Sequence, residues 1–439
     1  MKYITSFNKE TFNFNYFKHI CTIFLQITLI FIVSRGIIIS ALLFFSIGPF
    51  ALPENTNTLD IGMVNNIILQ LKKALSFWDS GWYRNIVDNG YLYEPNNSET
   101  INVAFYYIYP MTSRIVRNIL GISTDAALIL TSNIATYISF FLMYYLSKLI
   151  NISKNAAFIG ILLYAVNPFS IFLTAGYSEP IYVLISAITI ILLIKKKIVP
   201  AAFIGGLLSG IRSIGVFFTL ILLIYYFLIE RKKLTISNLV KISILCIIST
   251  WGKVAFILHN LIRFNEPFAS EIVQKYWGNI GGDLTLLQKV KNLIKYILTP
   301  FLRHFNPLDS SVISILVVYI LLIVSLISII GLIFRKSQKG KIFSNYMYTN
   351  TIDYKVEALL VTWSLVQIIL PLIIFGMKGN NIFSMGRYVL PMFPLYLLLG
   401  NMLEKRYLLY SLLLVVFVFE MIILALGFSY GLPRNYYVF

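Results

Sequence analysis

Long apolar runs separated by short polar stretches set the pattern of this chain. The first run follows a short polar, net basic tail ending at Lys18 and reaches about Leu52, too long for a signal-peptide core, so it reads as an uncleaved first span. Arg35 falls inside it; a charge at that depth either acts, snorkels, or faces other helices. Residues 53–103 are polar and turn-rich, with Pro53, Gly90 and Pro95, yet Ile61 to Tyr83 mixes apolar and polar positions in helical rhythm. That mixture predicts a helix lying in the membrane interface within a large first external loop. Ala126 to Leu149 makes one span. Asn155 to Lys197 holds two short ones, broken at Asn167-Pro168 and at Gly176-Tyr177-Ser178-Glu179-Pro180, and Pro200 to Arg231 repeats the hairpin around Gly210-Ile211-Arg212-Ser213. Asn238 to Leu261, Val312 to Phe334, Lys355 to Phe375, Arg387 to Leu399 and Tyr407 to Phe428 complete about eleven transmembrane helices. Residues 263–311 form a second external loop of roughly fifty residues, longer than a mere connection requires.

The basic residues orient this ladder. Lys148 with Lys154, Lys195 to Lys197, and Arg231 to Lys233 all belong on the cytoplasmic side, which requires an even number of crossings between clusters and sends both hairpin tips outward. The N-terminus then lies inside. Composition agrees: 58% of residues are hydrophobic, 12% are charged, and the net charge is +18. The chain is therefore expected to be an all-α polytopic membrane protein, a single integral membrane domain over residues 1–439. Its excess charge serves topology and lipid headgroups, and no basic domain stands apart for nucleic acid. Cys21 and Cys246 sit in apolar segments, which disfavours a disulfide framework, and His19, His259 and His304 have no ligand spacing. No Walker loop or dinucleotide fingerprint is present.

Topology carries one chemical consequence. Asp79, Glu179, Arg212 and Arg387 all fall on the external side, where ionisable groups at membrane depth line a water-filled site or pathway. Asp79 lies between Trp78 and Trp82, as a catalytic or binding acid or as a loop acid paired with Arg84. Tyr177-Ser178-Glu179 is a site or a turn ended by Pro180. Arg212 either caps helix ends or holds a phosphate through its fork and nearby free amides. Arg387, before Tyr388, is a ligand or an interfacial anchor.

Trp78-Asp79-Ser80-Gly81-Trp82-Tyr83 with Asp88-Asn89-Gly90-Tyr91, Ala104-Phe105 before Tyr109-Pro110, Asn167-Pro168, Ala175 to Glu179, Arg212-Ser213 and Arg387-Tyr388 together resemble the PIG-V family. That family comprises the second mannosyltransferase of glycosylphosphatidylinositol synthesis and its prokaryotic relatives. The resemblance implies a C-type membrane glycosyltransferase (GT-C) fold, with a catalytic acid in the first external loop and a polyprenyl- or dolichyl-phosphate mannose donor. It places the acid at Asp79, matches Tyr177 and Glu179 to the family's Tyr-Ser-Glu tip, and matches Arg212 and Ser213 to its Arg-Ser bend. Trp82 and Tyr106-Tyr107 depart from the family pattern. Asn265-Glu266-Pro267-Phe268 with Tyr276-Trp277-Gly278 looks like the prokaryotic members, which implies a cell membrane rather than an endoplasmic reticulum membrane.

The expected reaction is inverting sugar transfer to a glycan, lipid or protein acceptor. Asp79 accepts the acceptor hydroxyl's proton and Glu179 is the second candidate; Arg212, Arg387 and Ser213 hold the donor phosphate; Trp78, Trp82, Tyr83 and Tyr177 contact sugar or acceptor. Asp79 holding a divalent cation on the donor phosphate is the alternative role, since a hard ion needs only one or two protein carboxylates. A flippase for lipid-linked sugars and a membrane scaffold are the rival classes.

Overall fold

A computed structural model describes residues 14–47, 69, 71–94, 101–276, 284–298, 301, 310–334, 347–377 and 385–431. Most of the described residues are helical, with no strand among them. Helix α1 (Phe14–Ile47) is followed by α2 (Asp79–Asn89), α3 (Ile108–Leu120), α4 (Thr124–Leu149), α5 (Lys154–Ala165) and α6 (Glu179–Ile194). Next come α7 (Ile198–Gly206), α8 (Leu208–Ile211), α9 (Phe218–Ile224), α10 (Ile236–Ile248), α11 (Trp251–Phe264), α12 (Ala269–Tyr276) and α13 (Leu286–Ile297). Helices α14 (Ser310–Phe334), α15 (Tyr354–Gly376), α16 (Phe393–Leu403) and α17 (Tyr407–Gly431) complete the described set.

Five of these helices are long and apolar enough to cross a bilayer alone: α1, α4, α14, α15 and α17. The pair α10 and α11 makes a sixth if its 52° bend is counted as one span. A count of eleven full spans is therefore not confirmed. The remaining apolar helices are short because the chain breaks them. Pro168 opens a 3-10 turn (Pro168–Leu173) that the Asn167 side chain caps at Phe169 N, 2.9 Å away, and a second turn (Ser213–Phe217) follows Arg212. Between α10 and α11, Ser249 Oγ and Thr250 Oγ1 donate back to the carbonyls of Cys246 and Ile247, the back-bonding that bends helices.

The continuous helix expected over Ile61 to Tyr83 is broken where it is described, positions 61–68 and 70 lying outside the described residues. Helix ends at Leu75, and Trp78 adopts φ 56° before α2 starts at Asp79. A bulky residue in that conformation costs about 1–3 kcal/mol and persists only where its surroundings fix it.

Helix α6 gives the bundle two chemically distinct ends. At one end Lys195 Nζ meets Tyr145 OH at 2.6 Å, Lys355 pairs with Glu230, Arg231 lies over the Tyr354 ring, and Lys196, Glu230 and Lys355 share one cavity. Two of the three basic clusters that charge bookkeeping assigned to one side, at Lys195–Lys196 and Arg231, thus lie at one end. At the other end, 16 residues and so about 24 Å away along the axis, Glu179 begins the helix.

Glycine allows one close helix contact. A Cβ on Gly160 would lie 2.5 Å from Tyr396 O, and one on Gly400 would lie 2.2 Å from Ala156 O. Helices α5 and α16 thus touch backbone to backbone, the device by which membrane helices pack through small residues. Gly400→Val should force them apart and destabilise the fold by about 1–3 kcal/mol, read as a lowered thermal midpoint in detergent.

Candidate active site

The sequence separates Asp79, Glu179, Arg212 and Arg387 by more than three hundred positions overall, and the fold brings all four into one cluster. Arg387 donates through Nη1 to Asp79 Oδ2 at 2.5 Å and through Nε to Glu179 Oε1. Arg212 Nη1 donates to the same Glu179 oxygen. One carboxylate oxygen thus ties two guanidiniums together, and one of those reaches on to the second acid.

Burial separates the two acids. The Glu179 side chain is 1% exposed and that of Asp79 is 29% exposed. Glu179 Oε2 is buried without a hydrogen-bond partner. Asp79 stands at the first turn of α2, where the helix dipole favours a negative charge. Arg84 is not its partner: Arg84 Nε bonds Asp125 at 2.6 Å, so the loop-pair alternative for Asp79 does not hold.

Aromatic rings fix the guanidiniums from behind. Arg387 lies 4.8 Å from the Tyr177 ring centroid and 5.3 Å from that of Phe172, while Arg212 lies 4.9 Å from that of Tyr388. Tyr177 in turn donates to Phe77 O at 3.1 Å, and Gly176 N to Leu75 O at 2.8 Å, so the hairpin tip is bonded to the loop that carries Asp79. Only glycine fits there, since a Cβ on Gly176 would meet Ser80 Oγ at 2.6 Å and Leu128 Cβ at 3.0 Å.

A family model described as "Mannosyltransferase (PIG-V)" matches residues 25–266, more than half of the chain. The chain belongs to the PIG-V mannosyltransferase family. It is 28% identical over 211 residues to GPI mannosyltransferase 2 of Schizosaccharomyces pombe, a match covering 46% of this chain and 43% of that protein. To the human GPI alpha-1,6-mannosyltransferase 2 it is 26% identical over 163 residues, covering 35% of this chain and 32% of that one. The match therefore spans less than half the length of these curated relatives. Among solved structures, it is similar to the Archaeoglobus fulgidus oligosaccharyltransferase tethered with an acceptor peptide. That likeness has 14% identity and a TM-score of 0.46, over 91% of this chain and 55% of that one.

In this PIG-V family chain the other expected residues take different positions around the cluster. Tyr83 is buried, its hydroxyl donating to Ser178 Oγ at 3.0 Å, and Tyr177 is buried beneath Arg387. Burial pushes the Tyr83 phenol above its ordinary value, with Asp79 and Glu179 adding to the effect. Trp78 and Trp82 are half-buried; Trp82 stacks on Phe105 with centroids 6.0 Å apart. Ser213 is exposed at the start of its 3-10 turn. Arg35 faces other helices: it donates to Thr174 Oγ1 at 2.9 Å and to Ala165 O at 3.2 Å, bracing the broken stretch ahead of Tyr177. Sequence reasoning had weighed Arg35 but missed Phe172, and overlooked that Tyr388, noted only as the neighbour of Arg387, supports Arg212 instead.

Among the described residues no group of three His, Cys, Asp or Glu side chains gathers to hold a metal ion. The acids of the cluster are instead turned onto guanidiniums, a poor environment for a further cation.

Proposed function

We propose that this protein is a membrane glycosyltransferase that moves mannose from a polyprenyl-phosphate donor to an acceptor, with inversion, on the extracytoplasmic side of the membrane. The single observation that carries the reading is the division of labour in the cluster: an accessible acid, Asp79, hydrogen-bonded to an arginine that a buried acid, Glu179, also holds. Asp79 takes the proton of the acceptor hydroxyl as that oxygen attacks the anomeric carbon. The bond from that carbon to the donor phosphate breaks, and its electron pair leaves with the lipid phosphate. Arg387 and Arg212 stabilise the charge gathering on the leaving group, since each guanidinium carries five N–H donors and uses only part of them on carboxylates. Glu179 fixes the two arginines in place. Trp78 and Trp82 face the sugar, and the buried Tyr83 and Tyr177 form the wall behind them. Family membership supports the mannose donor. The resemblance of Asn265 to Gly278 to prokaryotic members supports a cell membrane.

The test is transfer of labelled mannose from polyprenyl-phosphate mannose to acceptor in membranes that contain the protein. A new glycosidic bond of opposite anomeric configuration is expected. Labelled lipid crossing the bilayer with no new bond would overturn the reading. Because both carboxylates face guanidiniums, no step is routed through a cation. Transfer is accordingly expected to persist at its full rate in excess EDTA, measured with the same label.

A further inference from the structure

A second cleft, apolar in most of its lining but with arginines at its rim, opens at the far end of α2 from Asp79. It is an open cleft of about 590 Å³, within the range of small-molecule sites, and its Arg114, His259 and Arg263 side chains are exposed. Tyr91, Tyr107, Arg114, His259 and Arg263 line it. Asn89, ten positions beyond Asp79, sits at its edge, so the two sites lie about 15 Å apart along the helix.

The wall of this cleft is built from hydrogen bonds. Asn102 donates to Asn85 Oδ1 at 2.5 Å and to Gly90 O at 2.9 Å, and accepts from Leu92 N at 2.8 Å. Arg114 Nε donates to Val87 O at 2.9 Å, and Tyr91 OH to Phe105 O at 2.8 Å. Phe105 also carries Trp82 on its ring. Aromatic residues therefore run from the Asp79 region to the cleft: Trp82 stacks on Phe105, Tyr91 bonds the Phe105 carbonyl, and Phe256 contacts both Tyr91 and Tyr107, with His259 against Tyr91.

Charge sets the cleft apart. Nearby cations are paired: Arg84 with Asp125, Arg117 with Asp88, Lys253 with Glu271. Among the described residues, no carboxylate pairs with Arg114 or Arg263, although both line one cavity. Two guanidiniums that no described carboxylate holds, beside aromatic faces, suit an oxyanion such as a phosphate or carboxylate on a sugar-like ring.

We infer that this cleft is an acceptor subsite for a negatively charged group, a phosphate or carboxylate borne by the acceptor, whose rings lie along these aromatic residues. The inference rests on the transferase reading, and its test is independent of turnover. The full chain in phosphatidylcholine nanodiscs is titrated calorimetrically with mannose 6-phosphate and with mannose. The phosphate sugar should bind more tightly, and more weakly as salt rises. Arg114→Gln with Arg263→Gln should weaken it by about tenfold or more. Should that pair not fold, Arg263→Gln alone, at an exposed side chain, carries the same expectation. Asp79→Asn should bind it as the wild type does, so a failed catalytic assignment leaves this result standing. Equal binding of both sugars, or binding indifferent to both arginines, overturns the inference. So does arginine-dependent binding of phosphatidylglycerol in the discs in place of the sugar phosphate, which would assign the cleft to a lipid headgroup.

Discussion

Asp79→Asn is expected to lower mannose transfer by about a hundredfold to ten-thousandfold, the range over which positioned acid–base catalysis acts, while the protein stays folded. The amide keeps the size of the carboxylate and an oxygen that accepts from Arg387, but it cannot take a proton from the acceptor hydroxyl. Its position decides the second half of the expectation. The Asp79 side chain is 29% exposed and Arg387 keeps Glu179 as a second partner, so losing the Asp79 charge should cost less stability than losing Glu179. Initial rates with labelled polyprenyl-phosphate mannose and a thermal midpoint in detergent check both halves. A folded variant that transfers at the wild-type rate would remove Asp79 from the chemistry.

Donor binding offers a contrast. An Asp79→Asn protein retains Arg212 and Arg387, so its affinity for the lipid-phosphate donor should be nearly unchanged. Arg387→Lys should behave in the opposite way, because a point charge cannot bridge Asp79 and Glu179 as the planar fork does.

Much of this arrangement was legible in the sequence, for identifiable reasons. Apolar runs and basic clusters placed Asp79, Glu179, Arg212 and Arg387 on one side, because hydropathy and charge act on whole segments. The grouping of Lys195, Arg231 and Lys355 at the other end follows from the same forces. What the sequence withheld was pairing. Arg84 lies five residues from Asp79, yet its guanidinium goes to Asp125, and the partner of Asp79 comes from position 387. Helix breaks were visible at Asn167-Pro168 and Arg212, but the break at Trp78 was not. Ile61 to Tyr83 keeps a helical rhythm through it, and a positive φ at a tryptophan leaves no compositional mark. Burial was equally hidden. Tyr83 and Tyr177 are chemically able to face a sugar, and only the packed hairpin tip, bonded to Phe77 and Leu75, turns them inward.

Glu179→Ala should produce the largest loss of stability of any single substitution in the cluster. Its Oε1 is the shared acceptor for Arg212 and Arg387, and its removal leaves two guanidiniums largely buried with only Asp79 to answer them. Breaking a buried ion pair from one side costs about 3–5 kcal/mol, because the remaining charge has lost both its partner and water. A strongly reduced yield of folded protein and a lowered thermal midpoint are expected, with transfer abolished. Glu179→Gln, which keeps the volume and one acceptor, should fall between this variant and the wild type. The cause can be separated from lost packing by removing the charges together. Glu179→Leu with Arg212→Met and Arg387→Met replaces the buried part of the ion cluster by apolar groups of similar size and leaves the part-exposed Asp79 to water, and such replacements are often neutral or stabilising. That triple variant should recover most of the lost stability and none of the activity. Recovery of neither would mean that packing at Glu179, and not its charge, holds the site together.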